Sequence, residues 1–272
     1  MGAVEKVCMR SVLGIDAAWS EREPSGVALI ADSGSGWRLV DVAASYDAFM
    51  RPPSPITDPV SRHRGSMPEA AALLGTAGER IGAGVDIVAI DMPLSMTPIV
   101  SRRASDNQIS TAYGARHAST HTPSVTRPGK LSDDLRLGFH RAGYPLAVCE
   151  PEGRALLEVY PHPALIELAA AERRLPYKIS KIRKYWPDVG PGVRRENLLD
   201  IWGQIIGLLD ARVHGVADAL QIPPVTARGY EMKAFEDMLD AVVCAWVGAS
   251  VLDGEARAYG DDVSAIWIPE VR

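Results

Sequence analysis

The chain has 272 residues, a formal net charge of −5, 47% hydrophobic and 23% charged residues, enough length and apolar content for a substantial core. The acidic balance argues against a general electrostatic nucleic-acid binder but leaves room for local basic surfaces. Cys8, Cys149 and Cys244 are scattered, with no CxxC or Cys/His spacing, which excludes a disulfide framework and a thiolate metal centre.

At the N-terminus, MGAVEKVCMR has no signal-peptide apolar region, and Lys6 stands where a myristoylation signal needs Ser or Thr. The longest apolar stretch, AVVCAWVGASVL, is too short to span a bilayer. A soluble, cytoplasmic protein is therefore expected. SVLGIDAAWS is a first strand ending at Asp16, PSGVALIADS a second and WRLVDVAASY a third. Their short joins suggest an antiparallel meander. PEAAALLGTAGERIGAG predicts a helix with Pro68 in its first turn and Gly82 and Gly84 near its end. VDIVAIDMP then reads as a strand buried on both faces, ending at Asp91.

Residues 95 to 150 are rich in Ser, Thr, Arg, His and Pro and read as an inserted set of loops, with a short helix over about 102 to 113. ALLEVYPHP is a fifth strand, followed by a helix from Pro161 to about Ala171. Helices over about 194 to 213 and 233 to 251 come next, and SAIWIP closes the chain as a strand. Strands first, a crossover helix and later helices predict an α/β three-layer fold, with a mixed central sheet, helices on both faces and a polar insertion. No linker divides the chain, so one domain over residues 1 to 272 is expected.

The segment FEDMLDAVVCAW raises the functional question. Its second half belongs in a core, yet Glu236, Asp237 and Asp240 stand at its mouth. In open α/β sheets ligands gather at the carboxyl ends of strands, which makes Asp16 and Asp91 candidates for one cleft, with Glu158 of LLEVYP a third acid. A helix lying on the sheet would aim its carboxylates at those strand tips. Crowded carboxylates repel one another unless a cation joins them, and a hard divalent cation with oxygen ligands resolves the repulsion. Two such ions can activate a water and stabilise a leaving oxygen in phosphoester cleavage. The plainer reading is that Glu236 and Asp237 sit at a helix start, where the macrodipole and free backbone donors favour acids. Asp16 and Asp91 could likewise each cap a turn.

GIDAAW with PSGVAL, VAIDMPLS, RRASDNQIS with YGARHAS, LEVYPHP and FEDMLDAVVCAW, in this order, resemble an uncharacterised family of predicted nucleases with an RNase H-like fold, catalogued as a domain of unknown function. The resemblance runs from about residue 12 to 268. It implies a metal-dependent hydrolase that cleaves phosphodiesters of DNA or RNA with Mg²⁺ or Mn²⁺. By the same resemblance Asp16 matches the metal-binding aspartate of the first strand and Asp91 the acid after the fourth. Asp240 or Asp237 matches the aspartate of the late helix, and Glu158 a family motif. The implied metal set is Asp16, Asp91 and Asp240, then Asp237, with Glu158 as a further catalytic acid.

The polar insertion carries Arg102, Arg103, Arg116, Arg127 and Lys130 against a single acid, Asp106, and Arg forks suit phosphate. Arg102, Arg103, Arg116 and His117 are the candidate substrate contacts. The plainer reading of this loop pairs Arg103 with Asp106. His117 and His121 have a helical metal spacing, but Ser119, Thr120 and Pro123 argue against a helix there. RRLPYKISKIRKYW holds six basic residues and no acid. It reads first as an ordinary basic face and alternatively as a track for single-stranded nucleic acid. Besides the nuclease, a non-catalytic binding or scaffold protein on the same fold and a small-molecule phosphotransferase are the competing functions. The last lacks a second copy of the core and any GxxxxGK[ST] loop.

Overall fold

Three strands open the fold as a meander. In the computed structural model, which describes residues 9–52, 62–67 and 69–270, β1 (Arg10–Asp16), β2 (Gly26–Asp32) and β3 (Arg38–Ala43) pair antiparallel in succession. Two helices follow. α1 (Tyr46–Met50) is capped by the Ser45 hydroxyl, which accepts from Ala48 N at 3.1 Å. α2 (Ala70–Ile81) ends at Gly82, whose positive φ of 68° supplies the left-handed turn that a helix C-terminus favours. The predicted contribution of Pro68 to its start lies outside the described residues.

β4 (Ile87–Ile90) is fully buried and pairs parallel to β1. The expected insertion contains the predicted short helix, α3 (Ala104–Tyr113), and a second helix, α4 (Lys130–Arg141). β5 (Ala155–Val159) joins β4 in parallel, and α5 (Pro161–Leu168) starts with proline in its first turn. α6 (Ile182–Tyr185), α7 (Pro191–Asp210) and α8 (Val216–Ala219) lead to α9 (Gly229–Leu252), and β6 (Ala256–Gly260) and β7 (Ala265–Pro269) complete the sheet. The order is β3-β2-β1-β4-β5-β7-β6, a seven-stranded mixed sheet in a mixed α/β fold.

Alternation along the strands sorts the core into two layers. Val12, Ala89 and Leu157 face α5, α7 and α9. Leu13, Ile15, Val88 and Ile90 face α1, α2 and α4. α9 is the central element of the first layer. Leu239, Val242, Val243 and Val247 are wholly buried on it, each contributing about 1.5–3 kcal/mol by leaving water. Two glycines let it lie against the sheet backbone. A Cβ on Gly14 would run into the backbone of Ala241 and Ala245, and one on Gly26 into the backbone of Asp237. α9 begins four residues earlier than the sequence predicts, with the Glu231 carboxylate accepting from the backbone N–H of Arg228. No helix among the described residues is long and apolar enough to cross a membrane.

Candidate functional site

Asp16 is the last residue of β1, and Asp91 directly follows β4. The backbone N–H of Asp91 donates to Ile15 O at 2.9 Å, so the two strand-end aspartates emerge side by side. Both fall on the face of the sheet that α9 covers, because Ile15 and Ile90 beside them point to the opposite layer. Asp16 is paired with Gly26, and Gly26 abuts Asp237 on α9. The close glycine contacts thus bring the second and third turns of α9 onto the strand tips.

The early start at Gly229 places Glu236 about two turns inside the helix. Glu236, Asp237 and Asp240 are therefore not first-turn acids, and the macrodipole does not explain them. All three are buried, and their partners come from a distant loop and from their own helix. Asp240 accepts from Tyr177 Oη at 2.7 Å and from the Lys178 ammonium. Glu236 accepts from Ile179 N at 2.6 Å and lies 3.4 Å from Lys233 Nζ and 3.6 Å from Lys178 Nζ. Asp237 takes the Lys233 ammonium on Oδ1, while its Oδ2 is buried with no hydrogen-bond partner among the described residues. Trp202 Nε1 donates to Tyr177 O at 2.8 Å and fixes the loop that delivers Tyr177 and Lys178.

Five carboxylates, Asp16, Asp91, Glu236, Asp237 and Asp240, thus crowd against two ammonium groups, Lys178 and Lys233. The imbalance is visible in the acids. Burial, then Asp240, pushes Asp16 up to about 6 against the opposing pull of both lysines. Burial, then Asp16, raises Asp91 and Asp237 well above the usual carboxylate range. Cys244, one turn beyond Asp240, is pushed well up by burial and then by Asp91 and Asp16, so it is a buried, unreactive thiol.

Glu158 has a different role. It is in register with Ile90, so the pleat turns it away from Asp16 and Asp91. Arg103 grips it with two contacts, at 2.5 and 2.7 Å, and Leu94 N donates to it at 2.7 Å. Burial raises the Glu158 carboxyl to about 7 even with Arg103 pulling it down. Arg103 is completed by Asp106, at 2.9 and 3.0 Å, and by Leu94 O at 2.6 Å. The pairing of Arg103 with Asp106 that the sequence offered as the plainer reading is present. Glu158 and Arg103 together fasten the loop after β4 and the start of α3.

The other insertion residues are also placed by protein contacts. Arg102 is engaged by Asn107, Ser110 and Thr122. Arg116 pairs with Glu167 at 2.6 Å and donates to Ala171 O. His117 is exposed in a left-handed turn at the end of a 3₁₀ segment and lines neither of the cavities beside the acids. Sequence reasoning missed the two lysines of the cluster. Lys178 lay in a stretch read as an ordinary basic face, and only the burial of Asp240 signalled that some cation had to meet it.

Two cavities flank the acids and share Lys233. One, of about 990 Å³, is lined by Asp16, Asp237, Arg22, Arg51, Arg62 and Arg64. The other, of about 290 Å³, reaches from Asp91 and Glu236 to His121, His162, Arg174 and Lys181. Among the described residues no three His, Cys, Asp or Glu side chains already form a metal-chelating group. The donor chemistry fits a cation nonetheless: Asp237 has a buried oxygen that no lysine reaches and lies within hydrogen-bonding reach of Asp16, and, besides burial, the charge of Asp240 raises Asp16 and that of Asp16 raises Asp91. These are hard oxygen donors of the kind Mg²⁺ and Mn²⁺ take.

Residues 141–264 match the family model described as "Protein of unknown function (DUF429)". That stretch contains Glu158, Lys178 and the three acids of α9, while Asp16 and Asp91 lie before it. The match supports similarity to an uncharacterised family of unknown function. No curated protein and no solved structure matches the chain.

Proposed function

We propose that the protein is a metal-dependent nuclease, hydrolysing phosphodiesters of nucleic acid on an RNase H-like fold. The observation that carries this reading is the incompletely compensated carboxylate cluster of Asp16, Asp91 and Asp237 at the carboxyl ends of two adjacent parallel strands. Two further observations support it. The sheet has a three-stranded antiparallel meander continued by two parallel strands, in the order β3-β2-β1-β4-β5, and arginines line the larger cavity beside Asp16. A phosphodiester backbone needs such local positive surface in a chain whose net charge is −5.

Asp16, Asp91 and Asp237 would hold Mg²⁺ or Mn²⁺, which supplies Lewis-acid stabilisation of a phosphoryl oxygen and a more acidic bound water. The protein's own groups do the rest. Asp240 and Glu236 hold the Lys178 ammonium beside the cluster, where it can stabilise negative charge developing on the phosphoryl group. Glu158 and Arg103 keep the loop after β4 in place, and with it one wall of the cleft. The arginines of the larger cavity take the flanking backbone phosphates as charge-assisted contacts.

The test is Mn²⁺ titration by calorimetry on the wild type, Asp16→Asn and Asp91→Asn, paired with cleavage of branched, single-stranded and double-stranded DNA and RNA. Saturable binding and cleavage by the wild type, both lost in each variant, is the expected result. Cleavage undiminished in Asp16→Asn, or no cleavage of any substrate with Mn²⁺ present, refutes the proposal.

A further inference from the structure

We infer that the smaller cavity, beside Asp91, is a binding subsite for a terminal phosphate monoester, with Arg174 and Lys181 as its cations. The inference rests on the nuclease reading for its substrate and deepens it: the subsite takes the phosphorylated end of a strand, and the rest of the strand leaves through the larger cavity.

Charge is the first reason. Four acids line this cavity, and three of them are already answered from within the protein. Asp106 and Glu158 share Arg103, and Glu236 has Ile179 N and two lysines. The far wall is cationic. Arg174 and Lys181 form no ion pair among the described residues, and His121 stands with them. Lys181 is lowered by burial and then by Arg174, Lys184 and Lys178, all of its own sign. A wall of mutually repelling cations is stabilised by an anion.

Unmet hydrogen-bonding capacity is the second reason. His162, only 7% exposed, lines the cavity, and its buried Nδ1 has no partner among the described residues. The Nε of Arg174 is also buried without a well-formed hydrogen bond among the described residues, with the Tyr185 hydroxyl beside its guanidinium. Buried polar atoms left unpaired are costly. The backbone around them is held firmly: Arg174 N donates to Arg116 O at 2.8 Å, and Arg116 is itself anchored to Glu167. The insertion arginine expected to touch phosphate thus helps to build the wall that presents Arg174.

Size is the third reason. At about 290 Å³ the cavity is at the lower limit of small-ligand sites, roughly 300–1,000 Å³. It suits one phosphorylated nucleotide, whereas the neighbouring cavity of about 990 Å³ has room for a longer stretch of strand. Lys233 lies between them, next to Asp237.

Inorganic phosphate and a nucleoside 5′-monophosphate are titrated calorimetrically into the wild type, Arg174→Gln/Lys181→Gln and Asp16→Asn, in chelator and at low salt. Saturable phosphate binding by the wild type is expected, weakened about a hundredfold in the double variant because each of its two lost charged contacts is worth about tenfold. Asp16→Asn should bind phosphate at least as tightly as the wild type. The single variant Lys181→Gln, altering one half-buried surface side chain, gives a second reading should the double variant melt early. A 5′-phosphorylated oligonucleotide should compete for the site better than its 5′-hydroxyl twin; preference for the free monophosphate alone would reassign the subsite to a nucleotide. No phosphate binding by the wild type, or equal binding by the wild type and the Arg174→Gln/Lys181→Gln variant, overturns the inference. Because none of these titrations involves metal or cleavage, the subsite and the nuclease reading can fail separately.

Discussion

Replacing Asp16 by asparagine should stabilise the metal-free protein at neutral pH and leave it unchanged in acid. In the folded protein, burial and then Asp240 raise the Asp16 carboxyl from its ordinary 3.8 to about 6. Between those values the folded state binds the proton and the unfolded state does not, so stability falls as pH rises through this window. Above it, the ionised Asp16 costs up to about 3 kcal/mol, at 1.36 kcal/mol for each step of pKa. Asparagine has nearly the same shape and no charge, and removes that cost. For a chain of this size the gain corresponds to about 5 °C in Tm. Urea unfolding of the two proteins in chelator, at pH 4 and at pH 7.5, measures it. The curves should nearly coincide at pH 4 and separate at pH 7.5 in favour of Asp16→Asn. A variant less stable than wild type at pH 7.5, or a gap independent of pH, would refute the claim that the cluster is under electrostatic strain.

Lys178→Met should act in the opposite sense. It removes the ammonium between Asp240 and Glu236 and leaves both acids buried without it, which should destabilise the protein by about 3–5 kcal/mol in urea; a loss below 1 kcal/mol would mean that the loop and not the lysine holds the acids. Gly26→Ala tests the seat of α9. Its new methyl group meets the Asp237 backbone, so a loss of about 1–3 kcal/mol or more is expected. Gly75→Ala, in an exposed position of α2 with nothing within 4 Å, should gain about 0.5–1 kcal/mol. Thermal melts that rank these two glycine variants the other way would contradict the packing described for α9.

Period and punctuation made most of the sheet legible in the sequence. β1, β2, β4 and β5 are short apolar runs bounded by turn residues, and their buried faces leave little choice of register. β6 was not legible: ARAYG is mostly half-exposed, and its pairing with β7 is what makes it a strand. α4 hid within a polar insertion because its buried apolar side chains are just Leu135 and Phe139, with Leu131 partly buried beside them. The start of α9 was hidden by Gly229 and Tyr230, poor helix formers whose conformation is set by the Glu231 cap. The acids at strand ends were legible because each follows a buried run. Which side of the sheet each one faces was not: Glu158 differs from Asp16 and Asp91 only by one residue of register.

The same limit explains how the acids of α9 divide their work. Asp240 drew notice in the sequence because it lies among apolar residues with no local reason for charge. A buried carboxylate must be answered, but the sequence cannot say by what. Tyr177 and Lys178, more than sixty positions away, occupy both of its oxygens. Asp237 keeps one oxygen that no lysine reaches, at the level of Gly26 and beside Asp16. A purely structural network of buried charges would be neutralised throughout, since an unanswered buried charge costs several kcal/mol. Here the compensation stops part of the way: the lysines secure Asp240, Glu236 and half of Asp237, and leave Asp16 beside both Asp91 and Asp237. Stability alone gives no reason to stop there, whereas the proposed cation site does.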